Sequence, residues 1–224
     1  MQLSRRHFMS AAVAATAGLT AGCVSKSIGL TSATPLPAPT PTPSAVAEAV
    51  PAAPQSTGYA LLDEALAALD THNIAARDKL ALVDFSLPSS QPRMHLVDVA
   101  TRRIEKSWLV AHGKGSDPSA TGMLQRFSNE PGSNASCNGA FLTADRYVGK
   151  HGNSQRLLGL DASNSNALDR EIVIHGAEYV SPAIVRSQGR IGRSQGCFAV
   201  EPGEVAAVMD ALGQGRMIYA AKVA

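Results

Sequence analysis

Residues 174–200 read IHGAEYVSPAIVRSQGRIGRSQGCFAV. The stretch brings His175 and Cys197 into one segment, with glycines at 189, 192 and 196. Just upstream, Arg170–Ile174 predicts a short buried strand that ends at His175-Gly176. Downstream, Val205, Val208, Met209 and Leu212 recur at helical spacing, so residues 203–212 predict a helix. The run between them reads as loop and closes on Cys197. Strand ends and loops on a rigid frame are where reactive side chains are usually presented.

A thiol with an ordinary pKa of ~8.5 is mostly protonated at neutral pH, and the thiolate is the nucleophile. A neighbouring imidazole takes the proton and keeps a thiolate–imidazolium pair poised. Cys197 is therefore the candidate nucleophile and His175 the candidate base. Gly196 lets the backbone approach a reacting carbonyl, so the N–H groups of Gly196 and Cys197 are candidate oxyanion donors. A third group has to hold the imidazole tautomer. No acid stands at an obvious position, which leaves the carbonyl of Gly176. A lone cysteine is more often a small buried hydrophobe, and a lone histidine a satisfied polar ring, so residue types alone do not decide. Two residues make an incomplete metal site, and no CxxC or HxxxH spacing adds to them; neither metal nor organic cofactor is expected.

The arrangement decides more. His175-Gly176 is followed by seventeen residues and then Ser194-Gln195-Gly196-Cys197. This resembles the signature of the L,D-transpeptidases, the YkuD family. Three further blocks resemble the murein L,D-transpeptidase catalytic domains in particular. They are Phe127–Ser133 (FSNEPGS), Tyr147–Gly152 (YVGKHG) and Gly189–Ser194 (GRIGRS). The similarity covers roughly residues 82–200. Gln195 stands where these proteins more often have histidine, and Phe198-Ala199 replaces a polar or arginine-containing run.

The resemblance implies a cell-wall cysteine acyltransferase. Cys197 would attack the carbonyl between the third residue of a peptidoglycan tetrapeptide stem and its terminal D-alanine. An amine of a second stem would resolve the thioester into a 3-3 cross-link. Water as acceptor would make an L,D-carboxypeptidase of the same site, and a protein lysine would give wall attachment. Arg190 and Arg193 are candidates for the carboxylates of the stem, since guanidinium matches carboxylate geometry. Ser194 and His151 are also expected near the substrate, and His151 is the second candidate base or tautomer holder. A different class stays open: a non-catalytic peptidoglycan-binding lipoprotein on the same scaffold.

The rest of the chain of 224 residues supplies the setting. Arg5 and Arg6 are the only charges before Cys23, and they account for the net charge of +2, so neither nucleic acid nor a basic membrane surface is indicated. Residues 1–23 read as an export signal: Ser4–Met9 resembles a twin-arginine motif, and Thr20–Cys23 resembles a lipoprotein cleavage box with Cys23 as the lipidated residue. Plain secretion is the alternative. Both place the protein outside the cytoplasm, in the periplasm or cell envelope. Residues 24–57 hold seven of the thirteen prolines among Ala, Thr and Ser, a composition that stays extended and solvated. At ~3.1 Å per residue such a tether reaches about 100 Å at most.

Residues 58–224 read as the catalytic domain. A helix is expected over 59–73, with Thr57 as its N-cap and His72 capping its C-terminal end. Strands follow at 80–85, 93–99, 105–111 and 139–144, then a last one at 217–222. His95 and Trp108 read as structural. The long loop 112–138 is expected to line the cleft, with Asn129, Ser133 and Asn134 as possible amide binders. His112 is a weaker site candidate. The fold class is mostly β, a sandwich or open barrel with one N-terminal and one C-terminal helix. If Cys23 is lipidated or removed, Cys137 and Cys197 remain, and an oxidising compartment would invite a disulfide between them.

Overall fold

Two apolar faces decide the architecture. In Lys79–Asp84 (β1) the residues after Lys79 are buried, without the alternation of a half-exposed strand. Leu80 and Leu82 face one hydrophobic cluster, and Ala81 and Val83 face the other. A strand covered on both faces reads as a continuous apolar run. The computed structural model describes residues 57–223. The predicted export signal, Cys23 and the tether up to residue 56 lie outside the described residues.

One face of the sheet is covered by the helix Thr57–Thr71 (α1), through Leu61, Leu62, Ala65 and Leu69. Thr57, expected as the N-cap, is its first residue. The helix ends where Asn73 takes a positive φ of 50°. Ile74 N–H then reaches back to Leu69 O at 3.1 Å, and the Ile74 side chain joins the cluster, a Schellman-type end. His72 does not cap the helix. Its Nε2 pairs with Asp161 Oδ1 at 2.9 Å and ties the helix end to the loop after the fifth strand.

The sheet has eight strands. Met94–Asp98 (β2) and Arg103–Trp108 (β3) form the expected hairpin, with β2 antiparallel to β1. Gly139–Gly149 (β4) and Gly152–Gly159 (β5) form a second, longer hairpin. Val173–Gly176 (β6) pairs antiparallel with β5, and Phe198–Val200 (β7) pairs parallel with β6. Met217–Ala221 (β8) inserts between β1 and β4, giving the order β3-β2-β1-β8-β4-β5-β6-β7. The chain beyond β3 then crosses to the far edge. Ala111 N–H donates to Ala199 O at 2.8 Å, and Ser194 N–H donates to His112 O at 2.9 Å. Residues 109–114 thus pair along the β7 edge, and the fold is mostly β, as expected, built on one mixed eight-stranded sheet.

Strands β5 and β7 were not expected from the sequence, and two further segments differ from their reading. Arg170 and Glu171 lie in a turn, and strand β6 starts only at Val173. The run 182–188, read as loop, is a short helix, Pro182–Gln188 (α2). Ser181 caps it by accepting from Ile184 N–H, Pro182 opens it, and Gly189 closes it at φ 70°. The C-terminal helix, Val205–Leu212 (α3), buries Val208, Met209 and Leu212 in the main core.

Candidate active site

The parallel pair β6–β7 sets the site. Ile174 is opposite Phe198 and His175 opposite Ala199, so Cys197 stands just ahead of β7, across from Val173. Ile174 and Phe198 point into the main core. Alternation therefore sends Val173, His175 and Cys197 to the other face. His175 and Cys197 share that face, offset by two residues on neighbouring strands, a diagonal of roughly 7–8 Å that long side chains can span.

The His175 ring is held from two sides. Nδ1 lies 2.9 Å from the carbonyl oxygen of Gly176. A carbonyl only accepts, so Nδ1 carries the proton and Nε2 keeps the lone pair. Nε2 has no hydrogen-bond partner among the described residues. The carbonyl that orients the base is thus the one expected from sequence. The His151 ring lies on the face of His175, with centroids 4.3 Å apart and planes 23° from parallel. His151 is at the tip of the β4–β5 hairpin, where Gly152 adopts φ 73° to complete the two-residue turn.

The thiol is not bonded to His175 at rest. Cys197 Sγ donates to the carbonyl of Glu171 at 3.4 Å. Glu171 has φ 52°, an unusual backbone for a residue other than glycine. Burial pushes the Cys197 thiol up, against the Val173 N–H and the nearby charges of Lys150 and Arg170, which pull it down. Burial also pushes His175 down, partly offset by its bond to Gly176, with His151 and Lys150 adding to the lowering. Both shifts favour the uncharged forms, a thiol and an imidazole. Tyr179 is also close: burial and the charge of Cys197 raise its phenol to about 12.

Four other residues singled out from the sequence have these places. Gly196 N–H, expected to face an oxyanion, donates to Ser194 Oγ at 3.1 Å. Gly196 is there for space: at φ 118°, a Cβ would come within 2.7 Å of Ala135 O and of the Ile172 side chain. The Cys197 N–H has no acceptor among the described residues and is the donor that remains. Ser194 is buried, and its hydroxyl donates to Cys197 O at 2.7 Å while accepting from Gly196, which shapes the loop before the cysteine. Arg193 donates to the carbonyl of Asp117, which ties it into the long loop. Arg190 is half-buried against Gly122 and makes no ion pair among the described residues.

The long loop is built around a buried polar chain. Arg93, fully buried, donates to Val110 O and to His112 Nδ1, the latter at 2.7 Å. His112 Nε2 faces Asp117 at 3.4 Å, and Asp117 accepts from Thr121 and Gly122 N–H. His112 is thus a structural residue. Asn129, expected as an amide binder, is spent on Ala162, Ser165 and Asn166. Arg170, which sequence reasoning passed over, joins the same loops: it donates to Ser128 O, to Ala135 O and to Cys137 Sγ. Cys137 and Cys197 are both free thiols.

A cavity of about 260 Å³ opens beside the cysteine. Its lining includes Tyr147, Lys150, Arg156, Leu168, Glu171 and Val173. Glu171 and Val173 are the residues whose backbone contacts the Cys197 sulfur. Lys150 Nζ lies 3.9 Å from the Glu171 carboxylate. Lys150 and Glu171 were not singled out from the sequence; only the first stands in a recognisable block, and a backbone carbonyl leaves no sequence signal. Among the described residues, no three His, Cys, Asp or Glu side chains converge.

A family described as the L,D-transpeptidase catalytic domain matches residues 54–221. No curated protein matches the chain significantly. Among solved structures, an L,D-transpeptidase from Mycobacterium smegmatis is 14% identical, with 64% of this chain and 58% of that one covered and a TM-score of 0.39. One from Xylanimonas cellulosilytica is 15% identical, with 66% and 62% covered and a TM-score of 0.37. The helical cell shape determining protein Pgp2 from Campylobacter jejuni is 10% identical, with 77% and 58% covered and a TM-score of 0.43. The chain spans about three fifths of the length of each.

Proposed function

The chain belongs to the L,D-transpeptidase catalytic-domain family, and we propose from that premise that it is a cell-wall cysteine acyltransferase acting on peptidoglycan tetrapeptide stems. The observation that carries the reading is the orientation of His175: Nδ1 is committed to the Gly176 carbonyl, so the lone pair on Nε2 is free on the face that Cys197 shares.

The chemistry follows from that tautomer. Cys197 leaves the Glu171 carbonyl by rotation of its side chain, and Nε2 of His175 takes the thiol proton as sulfur attacks. Proton transfer in step with attack suits two groups that are neutral at rest. The Cys197 N–H donates to the developing oxyanion. The proton on His175 passes to the departing amine of the terminal D-alanine. The thioester is then attacked by an amine of a second stem, which forms the 3-3 link and returns the thiol. The cavity lined by Lys150 and Arg156 takes the charged part of the stem. Hydrolysis by water is the alternative fate of the same thioester. We further propose that the enzyme works in the periplasm or cell envelope on an extended tether, anchored through Cys23.

Two measurements test this. Incubation of the reduced protein with a carbapenem, followed by intact mass and peptide mapping, is expected to give one adduct on Cys197. No adduct would favour a non-catalytic peptidoglycan-binding protein. Incubation with disaccharide tetrapeptide is expected to give a cross-linked dimer with loss of D-alanine. A tripeptide product alone would make it an L,D-carboxypeptidase.

A further inference from the structure

The β4–β5 hairpin ends on a side chain that has no structural reason to be aromatic. His151 is exposed, at a tip that a small polar residue would fill equally well. Its ring instead turns back over the sheet and lies flat on His175, at 4.3 Å and 23°. Gly149 and Gly152 frame the turn: a Cβ on Gly149 would come within 2.7 Å of the Tyr147 ring, and Gly152 holds φ 73°. The tip also lies beside Glu171, whose carbonyl receives the Cys197 thiol: Lys150 Nζ is 3.9 Å from the Glu171 carboxylate.

The contacts on His175 are complementary. The hydrogen bond to Gly176 acts in the ring plane and fixes one edge. It leaves one face of the ring to be covered by something else, and His151 covers it. The free Nε2 edge is left open toward the cysteine's face. The stacked ring also shields that face of His175 from water. The other charged or titratable groups around His175 are Lys150 on the hairpin tip, Arg170 and Glu171 on the turn before β6, Tyr179 after it, and Cys197 ahead of β7.

We propose that His151 is a positioning residue for the acyl transfer: its ring caps His175 and holds Nε2 in line with Cys197. The proposal rests on the reading of Cys197 and His175 given above. His151 acts through His175 and touches no reacting atom. The role needs a flat ring in that place, and it does not need the His151 nitrogens.

The test compares His151→Ala with His151→Phe in the full chain. The rate of acylation by meropenem is followed by mass from pH 5 to 9, and the His175 imidazole is titrated by NMR in the same proteins. His151→Ala should slow acylation roughly 10- to 100-fold, the scale of a misplaced reacting group. It should also move the acidic limb of the rate profile, and the His175 titration, to higher pH, because the ring that shields His175 from water is lost. His151→Phe should restore the rate close to wild type and keep the limb below that of the alanine variant. If the alanine variant matches wild type in rate and in limb, or if phenylalanine is as slow as alanine, the proposal is overturned. The NMR titration stands apart from turnover. A protein that forms no adduct refutes the acyltransferase reading, whereas an unmoved His175 titration in His151→Ala refutes the role of His151.

Discussion

The thiol of Cys197 donates to the carbonyl oxygen of Glu171 at 3.4 Å, and it does so from the sheet face that also carries His175. In the proposed reaction the thiol leaves that backbone group by a side-chain rotation to reach His175. Cys137 is the second free thiol; it is buried, and Arg170 holds it from within the loops. Replacing Cys197 by Ala should therefore abolish carbapenem adduct formation completely with little change in melting temperature. Cys137→Ala should leave the adduct in place. An adduct that survives in Cys197→Ala and disappears in Cys137→Ala would reverse the assignment, and intact mass after carbapenem treatment reads it directly.

The resting protonation states set a pH dependence. Burial lowers His175 from the ordinary 6.5, so the base stays neutral to a lower pH than a free imidazole would. Burial raises the Cys197 thiol above its ordinary value, so it does not ionise on its own in the neutral range. Acylation should rise through an acidic limb below 6.5 as His175 loses its proton, and then stay level up to about 9. A rate that climbs steadily from pH 7 to 9 would show instead that a free thiolate does the attacking.

His175, Cys197 and the Gly176 carbonyl could be singled out because all three belong to one run of sequence with a fixed spacing. What the run did not reveal is where its backbone groups would be spent. Ser194 Oγ reaches the N–H two residues on and occupies the Gly196 donor expected to face an oxyanion. The apolar residues after Arg170 look like one strand, but Glu171 takes a positive φ and strand β6 begins two residues later. Helix α2 was written in the sequence as Ser181, Pro182 and Gly189, a cap, a first-turn proline and a stop; its seven residues are too few to show periodicity. His151 could be placed near the site by its block, but its stacking on His175 comes from the bend of a hairpin between distant segments.

The backbone of Glu171 holds a conformation that costs a side-chain-bearing residue of order 1 kcal/mol. Glycine at this position removes that cost. Glu171→Gly should then raise stability by up to about 1 kcal/mol, or roughly 2–4 °C in melting temperature for a domain of this size. The exposed ion pair with Lys150 offsets little of it. A lowered melting temperature would mean that the turn is not strained.

Gly196 is the opposite case. Its φ of 118° and the 2.7 Å approach of Ala135 O leave no room for a methyl group. Gly196→Ala should cost roughly 2–4 kcal/mol, the sum of backbone strain and a forced shift of packed neighbours. The shift also moves Cys197, so the rate of carbapenem acylation should fall together with the denaturant midpoint. A variant with wild-type stability would show that the loop can yield at this point.

The buried chain beneath the long loop makes the fold acid-sensitive. His112 is fully buried and lowered to about 4, first by burial and then by the charge of Arg93, with Asp117 pulling the other way and Arg193 adding to the lowering. In the unfolded chain the same ring titrates near 6.5, so between those values the unfolded state binds the extra proton and stability rises with pH. The contribution is fully present above about 6.5 and is lost as pH falls to about 4, a loss of order 3 kcal/mol from this ring alone. His112→Asn keeps an acceptor for Arg93 and a donor for Asp117 but cannot titrate. It should be less stable than wild type at pH 7 and should lose less stability on going to pH 4. Parallel stability–pH curves for the two proteins, measured by urea unfolding, would show that His112 is not the group that acid attacks.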